Sequence, residues 1–176
     1  MKSNRPRLGE LLVKSAVVQT VSSMVMGLVA STLLDYRSTY SDPHRVCWMR
    51  QFDDPLLLAG PLFQPLRGAL FGWVFYLLRS VLFFEIRGRR TMFALIIALG
   101  VLNTLGPAPG SIEGFVYTTI PIRDQLLGYL EIVPQALLLT VVLHEWVLRP
   151  DRRWMDWTLG TLFAFSLIFP VLGLLS

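Results

Sequence analysis

The sequence is poor in most of what a soluble enzyme uses. Only 16% of its 176 residues are charged, where a soluble domain carries about 25%. One cysteine, Cys47, excludes an intramolecular disulfide and a thiolate metal cluster. Two histidines, His44 and His144, stand far apart, and only Glu145 beside His144 offers a nearby ligand. No metal site is expected from that set. The chain has no HExxH, no GxxxxGKS/T and no GxGxxG, so no cofactor is expected either. A hydrolase set built from Ser111, His44 and an acid has no motif behind it, because GSIEG is not a GxSxG elbow. The net charge of +4 and pI near 9.6 come from short basic clusters. No basic stripe with interleaved aromatics appears, so nucleic acid is not an expected partner.

What the sequence does have is apolar length. It is 53% hydrophobic with a mean hydropathy of +0.55, concentrated in long runs, and the lipid bilayer is the partner this composition implies. The expected fold is all-α: a single integral membrane domain over 1–176, a polytopic bundle of about five transmembrane helices. The spans are expected at about 11–34, 65–84, 91–105, 126–148 and 158–175, with an outer loop at 106–125.

The first run follows Lys2, Arg5 and Arg7. It reads as an uncleaved span rather than a signal peptide ending near Val29-Ala30-Ser31. It exceeds an h-region of about 7–15 residues, and Gln19, Thr20, Ser22 and Ser23 interrupt it. Ser23, Gly27 and Ser31 recur every four residues and predict a small-residue packing face. Residues 35–54 form a polar loop in which Trp48, Met49 and Phe52 suit a short surface helix. Pro61 and Pro65 make 55–64 an interfacial or partly re-entrant entry to the second span, where Gly68 and Gly72 give another small-residue face. Arg79, five residues before Phe84, is expected to snorkel toward the nearer headgroups. The sequence has no internal repeat, which removes support for an inverted-repeat transporter.

The basic clusters set the expected orientation. Lys2, Arg5 and Arg7, then Arg87, Arg89 and Arg90, then Arg149, Arg152 and Arg153 fall on one side of a five-span chain. The positive-inside rule makes that side cytoplasmic, with the N-terminus inside and the C-terminus outside. Arginine outnumbers lysine, and with no eukaryotic targeting signal the expected location is a bacterial inner membrane.

The orientation sorts polar residues by depth. Arg67 and Glu131 each lie five or six residues in from the outer ends of their spans, roughly 8–9 Å at 1.5 Å per residue. An ion pair between them would let both stay charged in the membrane. Gln135 is one turn from Glu131 on the same face, and Gly128 one turn before it. Gln64 belongs to the entry of the second span and Asn103 to the exit of the third. Pro134 frees the carbonyl of Leu130, which in a membrane needs a partner. The loop 106–125 opens with GPAPG and carries Glu113 as its one charge before Arg123. So little polarity in an outer loop predicts either a lid folded back on the bundle or an interfacial loop anchored by Phe115 and Tyr117.

Arg67, Glu131, Gln135, Asn103, Glu113 and Gln64 are therefore the candidate ligand-binding or ion-pair residues, with no catalytic residue assigned. The expected function is an outward-facing polar pocket that binds or passes a small solute, a proton or a lipid headgroup. The alternatives are a membrane-embedded enzyme using Glu113 or Glu131 on a lipid-linked substrate, and an assembly partner in a membrane complex. Five spans make a small transporter, so transport would call for a homo-oligomer or a membrane-protein partner.

Overall fold

The computed structural model describes residues 6–34, 50, 54–104 and 106–175. Among them every regular element is helical. α1 (Leu8–Leu33) is followed by α2 (Pro55–Leu58), a 3-10 turn (Gly60–Phe63), α3 (Gln64–Leu77) and α4 (Arg79–Phe84). Then come α5 (Gly88–Ile97), a π turn (Ala98–Leu102), α6 (Ile112–Tyr117), α7 (Ile122–Leu148) and α8 (Arg153–Leu175). Three helices, α1, α7 and α8, are long and apolar enough to cross a membrane. Large apolar side chains such as Leu33, Leu130, Phe169 and Leu175 stand on the outside of the molecule, which is compatible with a membrane protein. The surface helix expected around Trp48, Met49 and Phe52 lies outside the described residues, as do Cys47, His44, Lys2 and Arg5.

α1 is the hub. It packs against α3, α7 and α8, and its inward residues include Leu11, Val18 and Val21 alongside the polar Ser15, Gln19, Thr20 and Ser22. The partner α3 supplies the room. A Cβ at Gly68 would lie 2.6 Å from the Ala16 Cα and from the Ser15 carbonyl oxygen. One at Gly72 would lie 2.6 Å from the Leu11 carbonyl oxygen. The two glycines, four residues apart, let the backbones touch, which is how membrane helices associate when apolar burial offers little drive. This contact falls on Leu11 to Gln19. Ser23 and Gly27 come later on α1, and Ser31, the last of the expected small-residue series, is exposed.

The second and third expected spans are helical but interrupted. Residue 78 leaves helical geometry (φ −99°, ψ 11°) and separates α3 from α4. Just beyond the break, Arg79 turns back instead of reaching outward. Its Nη1 donates to the Tyr76 carbonyl at 2.8 Å and its guanidinium lies 4.1 Å from the centre of the Tyr76 ring. The hydrogen bond and the cation–π contact answer the charge locally. The third run begins at Gly88, earlier than expected, and unwinds into a π turn before Asn103. α5 leans on α4 and α7. α7 starts at Ile122, four residues before the expected span, and continues as one helix past Pro134.

Side chains lock the basic end of the bundle. Lys14 donates to Glu10 at 2.7 Å and to the Trp146 carbonyl at 3.1 Å, with its ammonium 5.3 Å from the Trp146 ring centre. The Trp146 indole donates to the Asp156 carboxylate at 2.7 Å, joining α7 to α8 across the 149–152 turn. A bond to an ionised acceptor is worth about 1.5–3 kcal/mol, so this clasp holds the helices in register.

Candidate functional site

The first polar cluster lies between α1 and α3. Gln19, 1% exposed, donates from Nε2 to the Gln64 Oε1 at 3.0 Å. Gln64 was expected among the site residues, and Gln19 had read only as an interruption of the first run. Gln64 is one turn before Gly68, so the face that brings the backbones together also turns Gln64 toward α1. An interhelical amide pair of this kind satisfies two polar groups that lipid would leave wanting.

The proposed Arg67–Glu131 pair is not made. Among the described residues no ion pair or hydrogen bond joins the two. Arg67 is exposed, with its guanidinium 5.7 Å from the centre of the Phe71 ring one turn on. The reason is angular. Arg67 precedes Gly68 by one residue, about 100° around the helix, so when Gly68 faces α1, Arg67 faces away. Equal depth does not give equal direction.

Glu131 turns instead toward α1. It is half-buried, and its Oε1 would be 3.9 Å from a Cβ placed on Gly27. That is ordinary van der Waals distance, so the carboxylate lies against the α1 surface at Gly27. Gln135, one turn further along α7, is also half-buried. A Cβ on Gly128 would meet only the Ile132 Cδ1, at 4.0 Å. Asn103 is exposed just after the π turn, and Glu113 is half-buried in the first turn of α6, where the helix dipole favours a negative charge. Among the described residues no hydrogen bond ties Arg67, Asn103 or Glu113 to Glu131. The structure thus sets Glu131 against Gly27, with Gln135 one turn along the same helix, and among the described residues no hydrogen bond or ion pair brings Arg67, Asn103 or Glu113 to Glu131.

The loop 106–125 is a folded cap on the start of α7. Its organiser is Gln125, 3% exposed, which the sequence reading passed over. The Gln125 Oε1 accepts from the Gly110 N–H at 3.1 Å, and its Nε2 donates to the Ile120 carbonyl at 3.0 Å and more weakly to the Gly114 carbonyl at 3.4 Å. Tyr129, one turn on, donates its hydroxyl to the Gly110 carbonyl. Gly110 has φ +82°, a left-handed conformation that favours glycine. Ser111 caps α6 by accepting from the Gly114 N–H at 2.9 Å. An amide carries both a donor and an acceptor, so one Gln satisfies opposite ends of an irregular loop. The available signal was the lone uncharged polar residue in the first turn of α7, beside Arg123 and Asp124.

Clefts among the described residues lie elsewhere. One of about 460 Å3 runs along the outer face of α8 past Asp156, Gly160 and Phe165. Another, of about 160 Å3, opens between α5 and α7. No group of three or more His, Cys, Asp or Glu residues with metal-binding geometry exists among the described residues. Comparison with protein-family models, with curated proteins and with solved structures finds no match for this chain.

Proposed function

We propose that this chain is a multi-pass protein of a bacterial inner membrane, crossing about five times with its N-terminus in the cytoplasm. Within it, Glu131 and Gln135 form an outward-facing polar site that binds or passes a small solute, a proton or a lipid headgroup. One observation carries the reading: a half-buried carboxylate, in a helix apolar enough to cross a membrane, is aimed at a glycine of the central helix. Ionisable groups in such helices are costly and tend to line paths or cavities. The cap is packed over the start of α7, the end that the proposed orientation makes the outer one. The α3–α4 and α5–π segments complete the five crossings as broken helices, a form tolerated where neighbouring groups satisfy the freed backbone.

The test uses purified protein in vesicles. Proton flux, read by an entrapped pH dye, is expected for the wild type and lost in Glu131→Gln and in Gly27→Leu, which fills the space before the carboxylate. Equal flux in all three would remove the passage reading. Turnover of a membrane lipid extract that depends on Glu131 would replace it with the enzyme reading.

A further inference from the structure

A cleft lies further along α7, its Thr140 nine residues and roughly 13 Å along the helix from Glu131. The cleft between α5 and α7 is lined by Arg89, Arg90, Phe93, Leu137, Thr140 and Val141. Three features of it need a common explanation. Both arginines are at its mouth and exposed, and Arg90 has no ion-pair partner among the described residues. Its walls, Phe93, Leu137 and Val141, are apolar, and Leu137 is 52% exposed on the outer surface of the bundle. Its inner wall holds Thr140, 0% exposed, whose hydroxyl has no hydrogen-bond partner among the described residues. Helical threonines commonly bond the carbonyl four residues back. Thr20 does so to Ala16 at 2.8 Å, and Thr91 to Arg87 at 3.2 Å. Thr140 does not, and a buried hydroxyl left unmatched is costly.

We infer that this cleft holds the phosphodiester of an anionic phospholipid. The arginines take the phosphate oxygens, the apolar walls take the start of an acyl chain, and the Thr140 hydroxyl donates to an ester oxygen between them. Guanidinium groups suit phosphate geometry, and basic pockets between helices at the cytoplasmic face are a known form of lipid headgroup site. The volume favours a headgroup, because about 160 Å3 is well below the roughly 300–1,000 Å3 of small-molecule pockets. Glu145 opposes the site in part. It lies 3.8 Å from Arg89 and 3.1 Å from Arg149, so Arg149 takes the larger share of its charge. The inference rests on the membrane reading above but not on the Glu131 site.

Native mass spectrometry on the full chain in nanodiscs tests it, comparing phosphatidylcholine alone with phosphatidylcholine plus phosphatidylglycerol. Wild type retains phosphatidylglycerol in preference. The R89A/R90A double variant loses that preference about ten-fold or more, and Thr140→Val about three-fold. Glu145→Gln, which frees Arg89, raises retention and guards against a variant that merely misfolds. Arg152→Ala with Arg153→Ala, outside the cleft, leaves it unchanged. Loss of the same size in the Arg152/Arg153 variant would show diffuse surface attraction and overturn the site. So would retention that ignores Arg89 and Arg90. Inorganic phosphate displacing the lipid at equal concentration would assign the cleft to a soluble anion instead.

Discussion

Gly68→Ala is the sharpest test of the packing. The new Cβ would sit 2.6 Å from the Ala16 Cα and the Ser15 carbonyl oxygen, and 2.8 Å from the Gln19 Cβ. The first two of these atoms are backbone and cannot swing aside. Ordinary contact begins at 3.4 Å, so α3 must withdraw by the difference from 2.6 Å, about 0.8 Å. Gln64, one turn away, moves with it, and its 3.0 Å bond from Gln19 leaves hydrogen-bond range. Overpacking costs about 1–3 kcal/mol and the amide bond about 0.5–1.5 kcal/mol, against a helix-propensity gain of about 0.5–1 kcal/mol for Gly to Ala. The net expectation is a destabilisation of about 1–3 kcal/mol. The assay is unfolding in mixed micelles by added dodecyl sulfate, followed by tryptophan fluorescence. Gly160→Ala is the control, because a Cβ there meets nothing within 4 Å and only the propensity gain remains. If Gly68→Ala unfolds at the same detergent fraction as Gly160→Ala, the close α1–α3 approach is wrong.

Gln125→Leu keeps the size of the side chain but removes the bonds to Gly110 and Ile120. Amide exchange across 106–120 should accelerate by about ten-fold or more, as for a cost of about 1–3 kcal/mol, while exchange in the centre of α7 stays unchanged; equal exchange across 106–120 in the wild type and Gln125→Leu would refute the cap. Asp54 offers a pH response outside the bundle. Its carboxylate accepts from the Arg50 guanidinium at 2.6 Å and caps α2 by accepting from the Leu56 N–H at 2.8 Å, and these bonds hold it below its ordinary value. A depressed acid stabilises the fold above its unfolded value and stops doing so as pH falls through its folded one, so the Leu56 amide should lose protection below about pH 4. Asp54→Asn should remove that pH dependence; a Leu56 amide equally protected at pH 2 and pH 6 would contradict the cap.

The parts legible in the sequence were those set by periodicity and length. Apolar runs marked α1, α7 and α8, and the four-residue spacing of Gly68 and Gly72 marked the face on which α3 meets α1. The segment 106–125 was legible as too apolar for an ordinary solvated loop, but a folded-back lid and an interfacial loop read alike in the sequence. Direction around a helix was not. Depth counting put Arg67 level with Glu131, but only the packing of Gly68 on α1 decides where Arg67 points. The break at residue 78 left no mark either, since the local sequence there holds neither proline nor glycine. Gln125 was hidden for another reason: its value lies in backbone groups that take up their positions only once the loop has folded.

Solvent access beside Glu131 tests the proposed site most directly. In a Cys47→Ser background, single cysteines replace Gln135, half-buried beside Glu131, and Leu137, 52% exposed on the outer face of α7. A small, charged, membrane-impermeant thiosulfonate is added to intact cells, with Arg123→Cys marking the outer side and Arg87→Cys the inner. A wet, outward-facing site predicts modification of Gln135→Cys and Arg123→Cys, with Leu137→Cys and Arg87→Cys protected. A Gln135→Cys that stays as unreactive as Leu137→Cys, or that reacts only when the cells are opened, would contradict it.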